Sequence, residues 1–115
     1  MSWRRIPLGV RVVNMSLKGY HAELVTALVR GPFGIRRGCR YGADSPGFSL
    51  FHVPTQAHVL TVPHQRLCKA AADELAALDM RWWSCVPGEV TGPDGPRFRE
   101  VWKRFDTAGN GAFRV

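Results

Sequence analysis

The sequence predicts a single α+β domain, and three observations carry that expectation. Segments with apolar residues at helical spacing alternate with short runs rich in β-branched and aromatic residues. Two of these runs, FSLFHV and AHVLTV, are separated by only three residues, the spacing of a hairpin. The chain of 115 residues, 45% of them hydrophobic, can bury a core of ordinary size without disulfides or metal. Residues 1–106 are expected to form this domain and residues 107–115, TAGNGAFRV, a flexible tail.

Taken in order, Leu8 to Met15 (LGVRVVNM) has the valine content and partial alternation of a half-buried strand, with Val10 and Val12 facing one way and Arg11 and Val13 the other. Ser16 is placed to cap a helix from about Leu17 to Arg30, in which Leu17, Tyr20, Leu24, Val25 and Leu28 form an apolar stripe. Gly31 and Pro32 stop it. Gly31 to Gly42, GPFGIRRGCRYG, holds four glycines and three arginines and is predicted to be neither helix nor ordinary strand; a turn follows to Gly47. Phe48 to Val53 and Ala57 to Val62 form the hairpin. Pro63 then opens a helix whose buried stripe is Leu67, Ala71, Leu75 and Leu78, with Arg66, Lys69 and Asp73 on the wet side. Met80 to Val86, MRWWSCV, has strand composition and sets Trp82 and Trp83 on opposite faces. After a Gly/Pro-rich loop, Asp94 caps a last helix from Pro96 to about Phe105. There Phe98, Val101, Trp102 and Phe105 fall at i, i+3, i+4 and i+7, opposite Arg97, Arg99, Lys103 and Arg104.

This order, βαββαβ and then a C-terminal amphipathic helix, matches a small ferredoxin-like split βαβ domain. That topology places both main helices on one face of a four-stranded antiparallel sheet and leaves the last helix free to cover part of the other face.

The formal net charge is +7 and the pI about 10.2, and 13 of the 16 basic residues are arginine. Guanidinium forks grip phosphate and carboxylate bidentately, which points to an anionic partner; a GC-rich coding bias would produce the same preference. Cys39, Cys68 and Cys85 have no CxxC pairing, which argues for a reducing, cytoplasmic setting. The N-terminal MSWRRIPLGVRVV lacks the features of a signal peptide and no window approaches a transmembrane span, so no membrane partner is expected.

The leading site is the glycine/arginine stretch, whose glycines can turn backbone N–H groups inward while Arg36, Arg37 and Arg40 add charge. It lacks the lysine and Ser/Thr of a phosphate-binding P-loop and follows a predicted helix instead of opening one; a solvated connector would have the same composition. With Arg97, Arg99, Lys103 and Arg104 it predicts a nucleic-acid-binding module that holds the RNA or DNA backbone. The alternative is a protein-interaction module, an inhibitor or adaptor of the kind mobile elements encode, that uses the same charge and a tryptophan anchor at Trp82 or Trp83 on an acidic or nucleic-acid-binding surface. An uncovered sheet face would serve equally as a homodimer interface. A third reading is a small enzyme using Cys39, its thiolate favoured by the neighbouring arginines, with His52 as base. The carboxylates are scattered, and His52, His58, His64 and Cys68 form only a loose metal pattern. No cofactor or metal is expected.

Overall fold

The computed structural model describes residues 2–14, 16, 18–38, 46–78 and 95–107. Five antiparallel strands come first, β1 (Arg4–Asn14), β2 (Gly19–Arg30), β3 (Phe33–Arg37), β4 (Phe48–His52) and β5 (Ala57–Val62), followed by α1 (Gln65–Ala76) and α2 (Gly95–Phe105). The sheet order β1-β2-β3-β4-β5 follows the chain, so every connection joins neighbours as in a meander. The domain is α+β as predicted, but the ferredoxin-like arrangement is not found: the sheet has five strands and both helices follow it.

The difference arises at residues 17–30, predicted as a helix, of which Gly19–Arg30 is observed as β2. Asn14 Oδ1 accepts a hydrogen bond from the Ser16 backbone N–H at 3.1 Å and Lys18 adopts φ 51°, so Ser16 and Lys18 belong to the turn that joins β1 to β2 and not to a helix cap. The segment also alternates: Glu23, Val25, Ala27 and Val29 turn inward while Tyr20, Ala22, Leu24 and Thr26 stay exposed. Pairing with β1 over its whole length, from Arg4↔Val29 to Asn14↔Gly19, satisfies its backbone as a ribbon and decides between the two periodicities. The glycine/arginine stretch is likewise not all loop, since its Phe33 to Arg37 portion is the central strand of the sheet. The hairpin of β4 and β5 matches its prediction to within one residue, and both described helices start within two residues of theirs. The predicted strand 80–86 and residues 108–115 of the predicted tail 107–115 lie outside the described residues.

Cross-strand rows show two faces. The rows Phe33–His52–Ala57, Ile35–Leu50–Leu60 and Arg37–Phe48–Val62 lie on the face the helices cover. There Cys68, Ala71, Ala72 and Leu75 of α1 and Phe98 and Val101 of α2 close the main core. The rows Arg36–Ser49–Thr61 and Gly34–Phe51–His58 lie on the opposite face. Over this face the β1–β2 hairpin curls, and Val10, Val12 and Ala27 pack with Phe51 in a second, smaller core. The curl is tied at the β4–β5 turn: Gln56, at φ 60°, donates from Nε2 to the Gly9 carbonyl at 2.8 Å, and the Arg11 guanidinium donates to the Thr55 carbonyl. Glycine at position 34 makes the curl possible, because a Cβ there would overlap the Phe51 ring lying across it.

Both sheet edges are managed. Strand β1 carries Arg4, Arg5, Pro7 and Arg11 on its outer edge, all exposed. The β5 edge is covered by the chain leaving α2: Asp106 accepts from the Thr61 N–H at 2.8 Å and the Thr107 N–H donates to the Thr61 carbonyl at 2.8 Å.

Candidate functional site

The arginines singled out in the central stretch have different fates. Alternation along β3 turns Arg36 inward and Arg37 outward. Arg36 is only 4% exposed, pairs with Glu23 of β2 at 3.3 Å, and donates from Nε to the Arg37 carbonyl at 3.3 Å. It binds the curled hairpin to the central strand and is not offered to a ligand. Arg37 is exposed on the helix-covered side of the sheet; Arg40 and Cys39 lie outside the described residues, as do Trp82 and Trp83.

Around Arg36 the inner face holds a row of buried polar groups. Ser49 Oγ donates to the Gly38 carbonyl at 2.5 Å and lies 3.2 Å from Thr61 Oγ1, which is 3.0 Å from His58 Nε2. Val10, Arg11, Arg36, Ser49, Phe51, Gln56 and His58 line a cleft of about 20 Å³, enough for one water molecule and no larger ligand. The polar groups bond to one another, which is the arrangement of a structural network.

Helix α2 displays its predicted amphipathicity, with Phe98 and Val101 buried and Arg97, Arg99, Lys103 and Arg104 exposed. The four basic residues divide between two flanks. Arg97 and Arg104 face α1 across a cleft of about 300 Å³ that also presents Glu74, Glu100, Ala77, Leu78 and Val101, and Arg104 is ion-paired with Glu74. Two carboxylates against two guanidiniums leave this cleft without a net pull on an anion. Arg99 and Lys103 lie on the other flank.

Arg37 belongs to the same end of the molecule. The row Arg37–Phe48–Val62 puts it two strand spacings, about 10 Å, from Val62, and the chain leaving α2 is hydrogen-bonded to the adjacent Thr61. The last turn of α2, with Lys103 and Arg104, therefore ends on the side of the sheet where Arg37 emerges.

Most described carboxylates are engaged: Glu23 with Arg36, Asp73 with Arg30, Glu74 with Arg104, and Asp106 with the Thr61 N–H. Glu100 is the exposed exception. The exposed surface of the described residues is left with a cationic excess that includes Arg4, Arg5, Arg11, Lys18, Arg37, Arg66 and Lys103.

The histidines do not converge. His52 is fully buried on the helix side, its Nδ1 2.7 Å from Thr55 Oγ1, whereas His58 lies on the opposite face. His64 precedes α1 and is exposed, and Cys68 is buried in the main core, where burial pushes its thiol up to about pKa 12. Among the described residues no three His, Cys, Asp or Glu side chains gather as a metal site. No described helix is long and apolar enough to cross a membrane.

Sequence reasoning missed the outward face of the β1–β2 hairpin. Tyr20 and Leu24 are 67% and 77% exposed there, and the Arg11 guanidinium lies over the Tyr20 ring at 5.4 Å. The apolar/polar alternation of Tyr20, His21, Ala22, Glu23 and Leu24 was the available signal, masked by an equally good helical spacing.

Comparison with known proteins finds no matching family model, no similar curated protein and no similar solved structure.

Proposed function

We propose that this protein is a small non-enzymatic nucleic-acid-binding module that holds the phosphate backbone through exposed arginine and lysine side chains. The observation that supports the reading best is the separation of charge. Among the described residues four of the five carboxylates are taken up in ion pairs and a strand-edge hydrogen bond, while Arg37 and Lys103 stay at the surface. A surface of this kind gains its affinity from counterion release and binds with little sequence preference. Relative to the site expected from sequence, Arg36 moves from the contact surface to the scaffold, and Arg97 and Arg104 to a compensated cleft.

Fluorescence anisotropy with labelled RNA and DNA, over a series of salt concentrations, tests the reading. Each neutralised phosphate contributes about 0.9 to the log–log salt slope on duplex and about 0.7 on a single strand. Replacing Arg37, Arg99 and Lys103 together with alanine is expected to weaken binding and to lower the slope by about 2–3. No binding at low salt, or a slope unchanged in the triple variant, refutes it.

A further inference from the structure

We infer that the outward face of the β1–β2 hairpin is a stacking platform for unpaired bases, so that the preferred ligand is a single-stranded nucleic acid; this rests on the nucleic-acid reading above and names its ligand class. The face belongs to the same side of the sheet that the helices cover farther along, but at Tyr20 and Leu24 it is bare. Its cross-strand pairs are Pro7–Thr26, Gly9–Leu24, Arg11–Ala22 and Val13–Tyr20. Gly9 has no side chain, and nothing lies within 4 Å of where its Cβ would be, so the surface beside Leu24 is flat and open. A planar base needs such a surface, and aromatic or apolar side chains supply it for any base because every base has a π-face.

Charge selects the occupant. Between residues 4 and 30 the sole carboxylate is Glu23, which turns to the inner face and pairs with Arg36. Arg5 and Arg11 share the outward face and Lys18 stands in the turn. An apolar strip whose charged neighbours within the hairpin's own outward face and turn are cations suits a ligand with stacked bases and a phosphate backbone. The strip is poor in hydrogen-bonding side chains, having Thr26 and the Tyr20 hydroxyl beside its cations, and so is ill suited to reading base edges in a duplex groove. Arg11 over Tyr20 leaves the other side of the ring for a base.

The test uses the full chain with a labelled oligothymidylate or oligouridylate of about twelve nucleotides and a duplex of the same length. The wild type is expected to bind the single strands more tightly than the duplex. Tyr20→Ala/Leu24→Ser should lose roughly 5- to 100-fold on the single strands and little on the duplex, while Tyr20→Phe retains wild-type binding. Both side chains are exposed, so circular dichroism and Tm should not change. Single-strand affinity unaltered in the double variant overturns the inference and leaves the backbone-binding reading standing if the Arg37/Arg99/Lys103 variant still loses affinity. If sedimentation shows that the wild type is a dimer and that the double variant is monomeric with unchanged affinity, the face is an interface between copies and the inference is equally overturned. A wild type that binds neither ligand refutes both readings.

Discussion

Arg36 offers the sharpest separation of scaffold from site. In Arg36→Met the aliphatic stem remains but the pair with Glu23 and the bond to the Arg37 carbonyl are lost. At 3.3 Å and an effective dielectric near 20 the gross attraction is about 5 kcal/mol. Most of it is offset by the desolvation of a guanidinium only 4% exposed. Glu23, at 31% side-chain exposure, regains water when its partner is removed, so the cost falls below the 3–5 kcal/mol of a fully buried pair. We expect about 2–3 kcal/mol, read as a fall of about 1–2 M in the urea midpoint. Glu23→Gln, which leaves the cation inside, should cost at least as much, and the double variant Arg36→Met/Glu23→Leu should recover part of the loss, with a coupling energy of about 1–3 kcal/mol. Arg37→Ala, one residue away and exposed, should change stability by less than about 0.5 kcal/mol while lowering nucleic-acid affinity. If Arg36→Met left the urea midpoint unchanged and weakened binding instead, the assignment of Arg36 to the scaffold would be refuted.

The remaining predictions concern packing, the sheet edge and alkaline pH. Gly34→Ala forces the Phe51 ring aside and should cost about 1–3 kcal/mol in urea unfolding, and Gly34→Ala/Phe51→Leu should cost less than the sum of the two single changes. Asp106→Ala orphans the Thr61 N–H and loosens the cover of β5, with an expected loss of about 1–2 kcal/mol and faster aggregation by light scattering. Cys68 titrates near 12 in the folded chain against 9.0 unfolded, because burial disfavours the thiolate. Below pH 9 its contribution to stability is intact, and from there to pH 12 it is lost at up to about 1.4 kcal/mol per pH unit as only the unfolded chain ionises. Cys68→Ala should flatten that part of the stability–pH curve, and the native thiol should resist a thiol reagent at pH 8.

Elements held by local chemistry were legible in the sequence. The β4–β5 hairpin has two apolar runs and a short turn, α1 a proline two residues before its start, and α2 a complete apolar stripe. Each could be assigned because its periodicity fitted one state. Residues 19–30 fit two states, helical by the spacing of Tyr20, Leu24 and Leu28 and extended by alternation, and only pairing with β1 selects between them. The same non-local pairing decided the candidate site. Composition shows three arginines near four glycines, but whether a strand residue faces a ligand or a core depends on which side of the sheet is covered.

By itself the sequence determined an α+β domain with one well-defined hairpin, two amphipathic helices and a surplus of arginine, because these follow from composition and near-neighbour spacing. Among the described residues, the tertiary structure alone decided that the surplus includes a buried clamp at Arg36, a compensated cleft at Arg97 and Arg104, and exposed cations such as Arg37 and Lys103. Carboxylates distant in the chain, Glu23 and Glu74, are brought by the curl of the sheet and the packing of α1 on α2 against some guanidiniums and not others. Which charges stay exposed is therefore a property of long-range contacts, set where the chain meets itself.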